Sequence, residues 1–206
     1  MAAYSFNEGT GLTTADISGH SRTMTLNGAS WEPSGHTGTA ITNMTSNAGA
    51  QATFTGPSTA ITIMAWVKPL DLTASGSRPV VGFVDNGNST ACAIWAERGD
   101  FGTPNVLQGN IRTGATLHEL AGSAMTLNTW AHVALTYNGS VAILYKDGAV
   151  VTSLATTGSV GQGDQLYAAG WVSGSYLAGV TVDDVRVYNT ALDATQVKYA
   201  MNTPVV

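Results

Sequence analysis

The sequence predicts an all-β chain folded as an antiparallel sandwich or barrel, and three observations carry that expectation. Short β-branched and aromatic runs recur along the chain, separated by turn residues. Asn138-Gly139 and Asp147-Gly148 lie between alternating apolar runs and supply the positive φ angles that tight hairpins need. Only one segment has a convincing helical pattern. With 206 residues, one all-β domain spanning 1–206 accommodates the chain.

The expected strands follow in chain order. "ATF" near position 52 is the first, then "ITIMAWVKP" (61–69), "PVVGFVDN" (79–86), "TACAIWAER" (90–98) and "NVLQGNIRT" (105–113). "HVALTYNGSVAILYKDGAVVTS" reads as a three-strand meander around its two glycine turns, and "DQLYAAGW" and "VTVDDVRVYN" complete the set. The helix is "NTALDATQVKYAMN", where Asp193 and Gln196 have the spacing of a capping box and Leu192 precedes the cap to staple onto Val197.

Charged residues are only 10% of the chain and hydrophobic ones 44%, so Ser, Thr, Asn and Gly must build much of the surface. A net charge of -5 with 8 Lys plus Arg leaves no basic stripe for nucleic acid. No apolar run approaches the ~18 residues of a membrane span, and "MAAYSFNEGTG" lacks the charged and apolar regions of an export signal. The single cysteine, Cys92, allows no internal disulfide and reads as a small core residue.

One strand raises a question of its own. In "GVTVDDVRVYN", simple alternation puts Thr181, Asp183, Val185 and Val187 on one face and Val182, Asp184, Arg186 and Tyr188 on the other. Asp183 is therefore expected on the apolar face, where a carboxylate needs a partner.

Four pieces in this order, "YSFNEGTGLTTADISGHSRTMTLNG", "ITIMAWVKP", "NTWAHVALTYNGSVAILYKDG" and "VDDVRVYNTALDATQV", resemble the laminin G-like, concanavalin A-like jelly-roll superfamily. The likeness runs from Tyr4 to about Val197 and is weakest over 71–125. It implies a two-sheet antiparallel jelly-roll sandwich with the first and last segments side by side. It also implies a structural calcium ion held by Asp16, in "ADISGH", and Asp183; Asn7 and Glu8 offer extra oxygens, although a solvated turn is the favoured reading of that pair. The alternative is that Asp183 accepts backbone N–H bonds, or pairs with Arg22 or Arg186, and needs no metal.

Hydrolases of the wider superfamily place acids on a strand as E-x-D-x-E or E-x-D-x-x-E, and neither motif occurs here. Glu97 and Asp100, the only close pair among the central acids, fall on opposite strand faces. His20, His36, His118 and His132 have no metal-binding spacing, and His132 reads as a packing residue. The expectation is a non-enzyme. "RGD" at 98–100 is too short to identify a receptor ligand.

Glycan binding asks for an aromatic ring beside hydrogen-bonding groups. Trp66 and Trp130 sit in motifs expected to be buried, which leaves Trp31, Trp95 and Trp171; Trp171 with Tyr176, in the Gly/Ser-rich "AAGWVSGSYLAG", and Trp95 are the candidate ligand-binding residues. Against this, the cost of exposing a tryptophan favours Trp171 as a residue closing the end of the sandwich. The resemblance extends to domains on phage heads and tails, and the signal-free start favours a virion decoration or head/tail-associated protein that docks on a capsid or tail protein and contacts host glycans. The alternative is an extracellular, lectin-like module of a secreted bacterial protein. Both leave room for a homo-oligomer.

Overall fold

The computed structural model describes residues 1–73, 76–85, 89–98, 105–171, 176 and 178–206. The first strands are short: β1 (Ala2–Tyr4), β2 (Thr13–Thr14), β3 (Met24–Asn27), β4 (Ser30–Glu32), β5 (Ala40–Asn43) and β6 (Gly49–Thr53). Long ones follow: β7 (Ile61–Pro69), β8 (Ser77–Val84), β9 (Thr90–Arg98), β10 (Val106–Thr113) and β11 (Thr116–Ala124). The chain ends with β12 (Ala131–Tyr137), β13 (Val141–Lys146), β14 (Ala149–Ala155), β15 (Gln165–Ala168), β16 (Val180–Tyr188) and α1 (Ala194–Met201).

Two antiparallel sheets make the jelly-roll sandwich. Sheet A has the order β14-β13-β12-β7-β16-β5-β4, with β1 also paired to β16. Sheet B has the order β11-β10-β9-β8-β15-β6-β3-β2. Alternation builds the core: Ile61, Ile63, Ala65 and Val67 of β7 and Ala131, Val133, Leu135 and Tyr137 of β12 point between the sheets, against Phe83, Ile94, Leu107 and Leu166 of sheet B. Cys92 is in this core, as expected, and burial pushes its thiol up to about 12.

The β12-β13-β14 meander forms as expected, and Asp147 and Gly148 both have positive φ in a two-residue hairpin; at Asn138-Gly139 only the glycine does, and Asn138 Oδ1 instead accepts from the Ser140 and Val141 N–H groups. Helix α1 carries both halves of its capping box and buries Val197 and Ala200 against Met64, Ala134 and Tyr145 on the outside of sheet A. Strands β1 to β5 have no counterpart among the expected strands, and neither does β11. Its sequence "TLHELAGSA" buries only Leu120, because it is an edge strand whose other side meets solvent.

The facing of β16 corrects the alternation argument. Asp183 pairs with Trp66 and Arg186 with Met64, so three steps on β16 match two on β7. The extra residue is a bulge at Asp184, whose φ is +50°. It resets the phase, and Val180, Val182, Val185 and Val187 all face the core while Asp183 shares the outer face with Trp66. Simple alternation failed because its period of two holds only while the ladder is unbroken. Among the described residues, no helix is long and apolar enough to cross a membrane.

Candidate functional site

Outer-face residues of sheet B form two contrasting zones. On β9 and β15, and in the segments after β15, Trp95, Tyr167, Trp171 and Tyr176 gather with Val84 and Ala93. The Trp95 and Trp171 ring centroids lie 5.5 Å apart, Trp95 and Tyr176 5.3 Å, and Trp171 and Tyr176 5.6 Å. The structure thus brings together the three residues that composition and loop context singled out. Their rings are spent on one another: Trp171 stacks between Trp95 and Tyr167, and Trp95 and Trp171 are 1% and 5% exposed. Stacked rings gain from mutual contact what an open platform gives up to water.

The second zone is polar and open. Strands β3 and β6 alternate cleanly, with Met24, Leu26, Ala50 and Ala52 inward. Thr25, Asn27, Gln51 and Thr53 therefore turn outward and, with Ser21, Arg22 and Thr23, line an open groove of about 550 Å³. Amides link the strands across it. Asn27 Nδ2 donates to Gln51 Oε1 over 3.5 Å, Gln51 Nε2 donates to Gln165 Oε1 over 3.1 Å, and Tyr167 Oη donates to the same Gln165 oxygen. Tyr167 thereby joins the amide row to the aromatic zone. These groove residues were missed by sequence reasoning, which weighed aromatics alone. The alternation in "MTLN" and "GAQAT" was the available signal.

At one end of the groove, the Arg22 side chain is held firmly. Nη1 donates to the Met1 carbonyl over 2.6 Å, and the guanidinium carbon stands 4.2 Å above the centre of the Phe54 ring.

The acids singled out as calcium ligands are each supplied with hydrogen bonds. Asp16 accepts from the backbone N–H groups of Ala3, Ser18 and Arg22, and against the desolvation of burial the Ser18 hydroxyl and these bonds together hold its carboxyl below the usual range. Asp183 accepts from the N–H groups of Thr37 and Asp184. The two carboxylates thus satisfy separate stretches of backbone. Asn7 accepts from Thr39 N–H, and Glu8 from Ala15 N–H and the Thr14 hydroxyl.

Asp183 is nevertheless buried completely and forms no ion pair among the described residues. Desolvation, with Asp184 nearby, pushes its carboxyl up to about 7. His36 stacks on Trp66 at 3.6 Å, and His132 lies beyond Trp66, fully buried with neither ring nitrogen hydrogen-bonded. Desolvation depresses His132 to about 3, so it is neutral at ordinary pH. It is a packing residue as expected, but on the outside of sheet A, as is Trp66.

Among the described residues, no group of three or more His, Cys, Asp or Glu is arranged to hold a metal. Gly99 and Asp100, and so the Arg-Gly-Asp tripeptide and the Glu97/Asp100 spacing, lie outside the described residues.

A family model described as the concanavalin A-like lectin/glucanases superfamily matches residues 43–198. No curated protein sequence matches the chain. Among solved structures, the binding domain of Paraclostridial Mosquitocidal Protein 1 superposes with a TM-score of 0.75 at 16% identity, over 98% of this chain and 51% of that one. The ligand binding domain of botulinum neurotoxin serotype D in complex with N-acetylneuraminic acid gives 0.74 at 12% identity, over 97% and 49%. Domain 4 of an extracellular arabinanase from Geobacillus stearothermophilus, in complex with arabinotriose, gives 0.70 at 20% identity, over 97% and 96%. This chain spans about half the length of the two toxin domains and nearly all of the arabinanase domain.

Proposed function

Because the chain belongs to the concanavalin A-like lectin/glucanases superfamily, we propose that it is a non-catalytic module that binds a glycan in the open groove of sheet B. The observation that carries this reading is the row of outward hydroxyls and amides on β3, β6 and β15. Sugars present hydroxyls that both donate and accept, and Thr, Asn and Gln answer in both senses. Among the described residues no carboxylate lines the groove, so these supply no acid pair of the kind glycoside hydrolysis needs. The sugar-bound toxin and arabinanase domains share the fold, which supports the reading without fixing a ligand.

The test is a glycan array followed by titration of the retained glycan. Gln51→Ala is expected to weaken binding about tenfold, the worth of one or two hydrogen bonds, without changing the melting temperature. Retention of no glycan, or equal binding by the variant, would reject the groove.

A second reading, docking on a capsid or tail protein of a virion, is favoured by an apolar depression beside α1. Tyr188, Leu192 and Tyr199 line it, and Tyr199 is 74% exposed. Tyr199→Ser should then abolish co-sedimentation with particles while leaving glycan binding intact. A calcium ion at Asp183, with Asp16, is a further proposal. It is supported by the complete burial of Asp183 without an ion pair among the described residues, where a hard cation would stabilise the ionised carboxylate.

A further inference from the structure

We propose that the groove of sheet B selects a glycan bearing a negative charge, with Arg22 pairing to its carboxylate or sulfate. The inference rests on the glycan-binding reading and names the ligand class for that same groove.

Among the described residues, Arg22 is the only ionisable side chain lining the groove. One nitrogen, Nη1, is engaged by the Met1 carbonyl, while no hydrogen bond occupies Nε or Nη2 among the described residues. The neighbouring carboxylate does not neutralise it: Asp16 accepts the backbone N–H of Arg22 and leaves the guanidinium alone. Nor does Arg22 form an ion pair elsewhere among the described residues.

The arrangement is notable in a chain with 13 acidic residues against 8 basic ones, where acids are in surplus to pair every base. A guanidinium locked over Phe54 by its carbonyl bond has already lost much of its rotamer freedom, so an incoming anion meets a positioned fork rather than a mobile chain. Such a fork matches the two oxygens of a carboxylate or sulfate, and charge-assisted bonds of this kind are about twice as strong as neutral ones. The hydroxyls of Ser21, Thr23 and Thr25 and the Gln51 amide, beside it in the groove, suit the uncharged remainder of the sugar.

The experiment uses the intact chain on an array of matched pairs: sialylated and desialylated glycans, oligogalacturonate and its methyl ester, and sulfated and desulfated chains. The expected result is retention of charged members, with each neutral partner bound at least about tenfold more weakly. Arg22→Gln should erase that ratio, and Arg22→Lys should keep part of it. Since Arg22→Gln also removes a carbonyl bond, the wild type supplies an independent readout. Its affinity for the charged member should fall several-fold from 50 to 500 mM salt, while any neutral glycan is unaffected. Equal or tighter binding of neutral partners, or a charged ligand insensitive to both salt and Arg22→Gln, overturns the inference and leaves glycan binding standing. Retention of no glycan at all overturns the function itself.

Discussion

Asp183 and Trp66 stand opposite one another on β16 and β7, both outside the sandwich, and the residue that follows Asp183 breaks the ladder. The doubled acid is the bulge itself: Asp183 closes the regular pairing and Asp184 takes the left-handed turn that restores it. Asp184 also accepts the Val205 N–H, and Arg186 donates to the carbonyls of Ala200 and Thr203, so the bulge pins the C-terminal segment across the outer face.

Substitution at Asp184 should separate backbone strain from this anchor. Asp184→Ala loses the bond to Val205 and must still adopt positive φ, and is expected to cost about 1–3 kcal/mol in chemical denaturation. Asp184→Gly loses the same bond but tolerates the conformation, so it should be the milder change. Equal costs would mean that the backbone at this position carries no strain.

For Asp183, the folded carboxyl is raised from 3.8 to about 7. Its contribution to stability is therefore full below pH 3.8 and lost as pH rises through about 7. In chelator, the melting temperature of the wild type should carry this decline, and Asp183→Asn should flatten it. Added calcium, if held there, should remove the decline in the wild type alone. Identical melting curves with calcium and with chelator across this range would reject the metal.

His132 acts in the opposite sense. Its folded value is depressed from 6.5 to about 3, so its contribution is present above pH 6.5 and lost as pH falls towards 3. His132→Phe should make the protein more resistant to acid, and should expose the Asp183 slope that His132 partly cancels between about pH 4 and 6.5. Unaltered acid unfolding in the variant would show that the imidazole is solvated.

Trp171 is predicted to matter for stability first. Trp171→Ala should cost about 3–5 kcal/mol by opening the stack with Trp95 and Tyr167, read from denaturant unfolding. Near-neutral stability with lost glycan binding would instead make the ring an exposed platform.

Much of this architecture was legible in the sequence, and its failures share one cause. The Asp147-Gly148 hairpin and the Asp193/Gln196 cap are local devices, set by residues a few positions apart, and both formed as read. Trp95, Trp171 and Tyr176 were singled out by residue type and loop context, but neither their convergence nor their mutual burial was legible, since stacking depends on where β9 and β15 lie across sheet B. The bulge at Asp184 escaped because nothing in "VTVDDVRVY" shows that its nine residues face only eight on β7. The groove escaped because β3 and β6 are four and five residues long, too short for alternation to stand out.

Strand β16 receives both extremities of the described chain: Ala2 to Tyr4 pair with Val187 to Val185, and Val205 bonds to Asp184. A body whose entry and exit are tethered to one rod can be spliced into a surface turn of a larger host, which would feel it as a small insertion rather than a wedge. The same tether means that a pull on either extremity is borne first by the short β1 pairing or the Val205 bond, and only then by the strand that carries the doubled acid.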